Sequence, residues 1–540
     1  MASRKFTPNW WPAAPLALSF FLTCCALLPY PGIQNDEVIF AVPYVHLSGS
    51  SIFQFGLWRH QVPVMFMSYM GALKTWICAP IFALALPSVW IVRLPAVILG
   101  AATVWLFTKL LERVQGRRAA WVGGVLLATD TMFVLTTSFD WGPVALQHLL
   151  MVLGALLILK FASGSSRLAL FCGFLCFGLA LWDKALFLWA LGGLTLATMV
   201  VFPRELWSRL NPRNIGLAAA GFCLGALPLF IYNASSGWAT FRSNAALDFR
   251  YIPGKAKILL ETWQGNALLG YLATNAGEPG QAHEAHSGLE RVSFAVQAAF
   301  GERRSNRLDW AFCAALLLLP LAWRTRARRP LLFALVALAA AWFQMAITRN
   351  AGATAHHAVL LWPIPHLFLA VAFAEASLPW RKLGTAALVV AVLYLAAENL
   401  LVTNQYLYQL ARYGSVRSWT DASYGLAEEL AKLPAAHVVV DDWGILNPIA
   451  LLDRGALPLV TADEAFLAPS RSEAFRAWDR GLLEQGLWVG HTPAYREFTA
   501  VDRNVMQAAE SAGFRKHVLK LVSDSHGRAT FEIFRFERPD

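Results

Sequence analysis

What most constrains this chain is a series of apolar runs, each near the ~20 residues that an α-helix needs to cross a bilayer's hydrocarbon core. Residues 12–28, 89–111, 119–136, 144–159 and 215–232 are among them. Backbone polar groups in hydrocarbon must be satisfied within the segment, so such runs read as helices. Composition agrees: 57% of the 540 residues are hydrophobic and 15% are Asp, Glu, Lys or Arg, against about 25% charged in soluble domains. The expected class is an α-helical polytopic membrane domain of about eleven spans.

The net charge of +11 comes from 45 basic and 34 acidic residues. Much of the basic excess lies in short loops between apolar runs, at residues 112–118, 204–213, 324–329 and 381–382. By the positive-inside rule these loops face the cytoplasm, and the charge calls for no nucleic-acid partner. Arg4 and Lys5 put the start of the first run inside as well. That run is read as a retained anchor rather than a cleaved signal peptide, because no small-x-small cleavage site follows it. The alternate loops carry Asp36-Glu37, Asp140 and Asp183-Lys184. Candidate chemistry is therefore expected on the outer face.

Two domains are expected. Residues 1–410 form the membrane domain, with outer loops at 31–88 and 233–308. Within the first loop, residues 64–86 read as a helix lying at the interface, because Lys74 falls in the segment and Pro80 and Pro87 interrupt it. Residues 415–540 read as a small extracytoplasmic α/β domain. Its expected strands are 437–441, 457–461, 487–490, 516–522 and 529–536, and its expected helices 424–432, 473–483 and 502–512. All seven Cys lie in apolar runs and none in this domain, and no Cys-x-x-Cys pattern occurs.

The candidate chemistry starts at Asp36-Glu37, where the first span meets water. A carboxylate pair there is either a solvated first turn of the next helix or a catalytic pair. Asp140 is a further candidate acid, or the cap of the helix that follows Gly142-Pro143. Four cations lie near the same face: Arg59, Lys74, Arg93 and Lys184. Each has a structural alternative as a helix-end anchor or a snorkelling side chain, and Lys184 alternatively pairs with Asp183. A divalent metal is a possible cofactor, with Glu37, His46, His60, His356 and His357 as candidate ligands, but no spacing motif supports a site. The 233–308 loop, with His283, Glu284 and His286, either covers an acceptor or carries no chemistry.

Several of these motifs resemble the GT-C superfamily of membrane glycosyltransferases, of the protein O-mannosyltransferase and lipid A aminoarabinose transferase type. They are Asp36-Glu37 after the first span, Arg93-Leu94-Pro95 at the start of the second, Asp140 at the outer end of the third, Gly178-Leu179-Ala180-Leu181-Trp182-Asp183-Lys184, and His356-His357 through Pro363-Ile364-Pro365. His357 stands where the family usually has an aromatic. The resemblance covers roughly the first 400 residues and does not reach the soluble domain. It implies transfer of a sugar from a polyprenyl-phosphate donor to a glycan, lipid or protein hydroxyl, outside a bacterial inner membrane. It also implies Asp36 as general base beside Glu37, and Lys184 at the lipid phosphate. Two other classes remain open. A flippase of lipid-linked sugars predicts internal repeats with matching broken helices. A non-enzymatic envelope scaffold leaves the outer charges without a role.

Overall fold

The computed structural model describes residues 13–45, 51–57, 60–164, 166–274, 280–349, 351–462 and 480–539. Within them, five helices are long and apolar enough to cross a membrane, or seven if each of two bent pairs is one span. Four shorter apolar helices, Ala13–Leu27, Leu73–Leu84, Phe187–Val201 and Leu308–Leu317, accompany them. The expected total of about eleven spans is not reached by length and composition alone.

In chain order, α1 (Ala13–Leu27) leads into a one-turn helix α2 (Asn35–Val38). A small antiparallel sheet follows, of β1 (Phe53–Leu57), β2 (His60–Met67) and β3 (Met70–Gly71). Helix α3 (Leu73–Leu84) comes next. The interfacial helix expected over residues 64–86 is thus corrected: its first part is strand. Val64-Met65-Phe66-Met67 pairs across β1 and β3, and the helix starts only after Gly71. A Cβ at Gly71 would fall 2.1 Å from the Trp182 carbonyl oxygen, so this turn packs against the end of another helix.

The core helices are α4 (Val89–Val114), α5 (Arg117–Thr129), α6 (Thr131–Ser138), α7 (Val144–Gly164), α8 (Arg167–Asp183) and α9 (Phe187–Val201). Small residues let helices approach closely, as is usual in membranes. Against α8, a Cβ at Gly221 of the Pro212–Ser235 helix would lie 2.3 Å from the Phe171 carbonyl oxygen. The third apolar run is not one straight span: α5 and α6 meet at 55°. Asp130 sits at the break and accepts from the Phe133 N–H at 2.7 Å, capping α6. A second bent pair, Ala355–Leu361 with Ile364–Ala376, meets at 47°. His366 on that pair faces Asp130 at 3.2 Å. The two breaks therefore lie side by side inside the bundle, with neither His366 ring nitrogen hydrogen-bonded among the described residues.

The 233–308 loop carries three helices, Ala239–Asn244, Ile252–Trp263 and Gly288–Phe300. The last membrane helix, Arg381–Tyr413, has 33 residues, or about 50 Å at 1.5 Å per residue. That exceeds the hydrocarbon thickness of ~30 Å, so the helix carries the chain out of the bilayer to Gly414.

The soluble domain is a five-stranded mixed sheet, made of β4 (Val438–Val440), β5 (Leu459–Thr461), β6 (Leu487–His491), β7 (Arg515–Ser523) and β8 (Ala529–Glu537), in the order β5-β4-β6-β8-β7. The first three strands are parallel and the last two antiparallel. All five expected strands are present within a few residues of their expected bounds. Helices Ala422–Leu430 and Thr499–Ser511 match two expected ones. Most of the third, residues 473–483, lies outside the described residues. The helix Leu446–Leu452 was not anticipated. It sits directly on α2: Leu451 shares a buried apolar cluster with Ile33, Val38 and Val45, and the Gly32 N–H donates to the Trp419 carbonyl at 2.8 Å.

Candidate active site

The site is built around α2. Gln34 caps it: its side chain accepts from the Asp36 N–H at 2.6 Å, while Glu37 Oε1 accepts from the Gln34 N–H at 2.9 Å. Glu37 three residues after Gln34 is the spacing of a capping box. The box turns Glu37 inward, where it is 1% exposed. Asp36 faces the other way and keeps part of its surface open.

Arg93 of α4 lies under this turn. Its Nε donates to Glu37 Oε2 at 2.9 Å and its NH2 group to Glu37 Oε1 at 2.6 Å. The remaining N–H groups reach the carbonyls of Leu28 and Pro31 from NH1 and of Gly32 from NH2. Five N–H groups thus meet five acceptors, and a guanidinium has no more. Nothing is left over to hold a phosphate. In this arrangement Arg93 joins the first span, the first loop and α4.

Lys74 is likewise not a snorkelling side chain. It is 2% exposed and donates to Asp140 Oδ2 at 2.8 Å, with its ammonium 4.9 Å from the centre of the Phe40 ring. Asp140 Oδ1 accepts from the Val144 and Ala145 N–H groups, at 3.1 and 3.2 Å. This carboxylate caps α7 and neutralises Lys74. Asp140 was expected as a catalytic acid and Lys74 at a phosphate; here the two are hydrogen-bonded to each other.

Asp36 and Lys184 differ from both pairs. Asp36 Oδ1 accepts from the Asn35 amide at 3.0 Å. Among the described residues, no hydrogen-bond donor reaches Oδ2. Lys184 is 2% exposed, yet among the described residues its ammonium makes one hydrogen bond, a long 3.4 Å contact to the Trp141 carbonyl. Its backbone is pinned: Lys184 bridges Met70, and the Ala185 N–H donates to the Tyr69 carbonyl at 2.8 Å. Gly142, at φ +66°, makes the turn beside it, and a Cβ there would come within 3.7 Å of Lys184 Nζ. Burial pushes the Asp36 carboxyl above its ordinary range, with Asn35 and Lys184 pulling it back and Glu37 adding to the rise.

Lys184 does not hydrogen-bond to Asp183. Both carboxylate oxygens of Asp183 are buried without a hydrogen-bond partner among the described residues. Trp141 carries an aromatic cluster over this region: it stacks on His356 with centroids 5.8 Å apart and meets Trp419 edge-on at 4.9 Å. His357 lies against His356 at 4.5 Å. Arg59 and His46 lie outside the described residues, as does the His60 side chain. Among the described residues no group of three or more His, Cys, Asp or Glu side chains is placed to hold a metal. Glu37, the carboxylate named for that role, is paired with Arg93.

No protein-family model matches the sequence, and no curated protein matches it. Solved structures do resemble it. ArnT from Cupriavidus metallidurans bound to undecaprenyl phosphate superposes with a TM-score of 0.54 at 14% identity, covering 96% of each chain. The same protein in the apo state gives 0.54 at 16% identity over the same shares. An Archaeoglobus fulgidus oligosaccharyltransferase in the apo form gives 0.51 at 10% identity, covering 98% of this chain and 75% of that one. The chain has the GT-C fold. The likeness extends over the soluble domain as well as the membrane helices, further than the roughly 400 residues of the motif resemblance. In this chain the α2 turn, the end of α8 and the C-terminal domain meet at one place.

Proposed function

We propose that this GT-C chain transfers a sugar from a polyprenyl-phosphate donor to a hydroxyl acceptor, with inversion, on the extracytoplasmic face of a bacterial inner membrane. The observation that carries the reading is the pairing pattern. Glu37 with Arg93, and Asp140 with Lys74, neutralise each other. Asp36 and Lys184 are left with unused hydrogen-bonding capacity and lie within each other's field. The reaction needs one group of each kind. Asp36 Oδ2 takes the proton from the acceptor hydroxyl as its oxygen attacks the anomeric carbon. The bond from that carbon to the phosphate oxygen breaks, and the lipid phosphate leaves with the electron pair. Lys184 stabilises the charge that collects there.

Support for a lipid-phosphate donor comes from the fold, since a protein sharing it was solved with undecaprenyl phosphate. The outer orientation rests on the basic loops between spans. The sugar acceptor is a glycan, a lipid or a protein hydroxyl, and membrane lipids surround the site.

Two measurements test the reading. Mass spectrometry of envelope lipids, glycans and proteins should reveal a sugar that disappears when the gene is removed and returns with it. Purified chain in liposomes should bind undecaprenyl phosphate and release it from undecaprenyl-phosphate pentoses or hexoses. An unchanged envelope together with no binding of undecaprenyl phosphate would sink the proposal.

A further inference from the structure

The soluble domain reaches the reacting carboxylate through one hydrogen-bonded file of side chains. Asn447, on the Leu446–Leu452 helix, donates from Nδ2 to Asn35 Oδ1 at 2.8 Å. Asn35 then donates from its own Nδ2 to Asp36 Oδ1 at 3.0 Å. Asn35 and Asn447 are buried, at 7% and 9% exposure. The order of donors follows from chemistry. An ionised carboxylate only accepts, so Asn35 must turn its NH2 group toward Asp36. Its carbonyl oxygen then points away and needs a donor. Asn447, 412 residues along the chain, supplies it.

We infer that Asn447 is a positioning residue for the transfer reaction, holding Asp36 through Asn35 so that Oδ1 is occupied and Oδ2 is aimed at the acceptor hydroxyl. The soluble domain thereby completes the active site rather than only docking acceptors or adding stability. This rests on the reading of Asp36 as the base. A second observation favours positioning over stability. Asn447 Oδ1 is buried with no partner among the described residues, an arrangement that costs free energy and that an apolar side chain would avoid. Apolar docking of the same helix is already provided by Leu451 against Ile33 and Val38. The groups facing Asp36 are Lys184 and Tyr69 from other elements and Glu37 from α2 itself. None of them is held by Asn447.

The experiment is a double-mutant cycle on the full-length chain in liposomes. Asn447→Leu and Asn35→Ala are made singly and together, with Leu451→Ala as a docking control. Turnover of an undecaprenyl-phosphate sugar and affinity for undecaprenyl phosphate are measured for each. Each single change should lower kcat by about tenfold, roughly the worth of one hydrogen bond, with undecaprenyl phosphate affinity within about twofold of wild type. The double variant should be no worse than Asn35→Ala alone, because both changes break one file. Leu451→Ala should lower thermal stability and keep kcat. Should Asn447→Leu fail to fold, Asn447→Ser, which retains a donor, is expected to fold and keep more activity than Asn35→Ala. Losses that multiply in the double variant, or wild-type kcat in Asn447→Leu, overturn the inference. Asp36→Asn separates the two ideas: if it turns over normally, the base assignment itself has failed, whereas an inactive Asp36→Asn beside an active Asn447→Leu removes only the positioning role.

Discussion

Arg93 grips Glu37 with two parallel hydrogen bonds, at 2.9 and 2.6 Å, with the two side chains 0% and 1% exposed. The pair ties α4 to the turn that presents Asp36. Removing one partner leaves a buried charge uncompensated, which typically costs about 3–5 kcal/mol. We expect Arg93→Ala and Glu37→Gln each to lower thermal stability sharply, and Arg93→Lys to rescue little, since an ammonium has no planar fork to match the carboxylate and three carbonyls. Thermal unfolding of detergent-purified variants followed by size-exclusion measures this. An Arg93→Ala protein that is stable yet fails only to bind undecaprenyl phosphate would return Arg93 to the phosphate.

The two lysines should separate in the same way. Lys74→Met leaves Asp140 buried and unpaired, so it should destabilise, and Asp140→Asn should restore part of the loss in the double variant. Lys184→Ala leaves no carboxylate without its hydrogen-bonded cation. It should fold normally and bind undecaprenyl phosphate at least about tenfold more weakly, the range for a lost charge-assisted hydrogen bond. Isothermal titration with undecaprenyl phosphate distinguishes them. Equal folding and equal binding losses in both variants would contradict the division of roles.

Asp36→Asn keeps the shape of the side chain and removes its basicity. Loss of a general base typically lowers rates by about 10²- to 10⁴-fold, while binding of undecaprenyl phosphate should persist. In the wild type, kcat/KM should fall as pH drops through the Asp36 pKa, because the protonated form cannot accept the hydroxyl proton. Burial first, with Glu37 adding, holds that pKa above the usual carboxylate range despite Asn35 and Lys184. The acidic limb should therefore lie above about pH 4. A flat profile across the acidic range would argue against Asp36 as the base.

The soluble domain carries its own pH dependence. Asp441 follows β4, and burial pushes its carboxyl up to about 7 against the pull of Arg496, which donates to it at 3.1 Å. In the unfolded chain an Asp releases its proton near pH 4. Between about pH 4 and 7 the native state holds a proton that the unfolded state has lost. Native stability is thus fully present below this window and declines as pH rises through it, by up to about 1.4 kcal/mol per pH unit. Asp442 behaves oppositely: burial resists its ionisation, but the His491 ring at 2.8 Å and the Glu497 and Phe498 N–H groups hold it below the ordinary range. Its stabilisation is lost only as pH falls below about 4. Hydrogen exchange of β4 and β6 in the full chain, corrected for intrinsic rates, should show protection falling from pH 5 to 7. Asp441→Asn should flatten that trend, and an unchanged slope would refute the assignment.

Much of the architecture was legible because local physics writes it into the chain. Apolar runs of bilayer length announced the membrane helices, and short β-branched and aromatic runs between helical stretches announced β4 to β8. The 64–86 segment misled because Val64-Met65-Phe66-Met67 is apolar throughout, and an apolar run of that length does not separate strand from helix. The break at Asp130 was not legible because a single acid in an apolar run does not show that it caps a new helix at the Phe133 N–H.

The sequence by itself determined which kinds of charge stand at the ends of the apolar helices, and its basic loops set the expectation that they share one side of the membrane. It did not determine which of those charges remain available for chemistry. Glu37 meets Arg93 across 56 residues, Lys74 meets Asp140 across 66 and Asn447 meets Asn35 across 412. Whether an ion is neutralised depends on what lies within about 4 Å of it, and spacing along the chain does not encode that distance. Only the tertiary structure paired two of the cations and two of the carboxylates with each other, leaving Asp36 and Lys184 with capacity to act on a substrate.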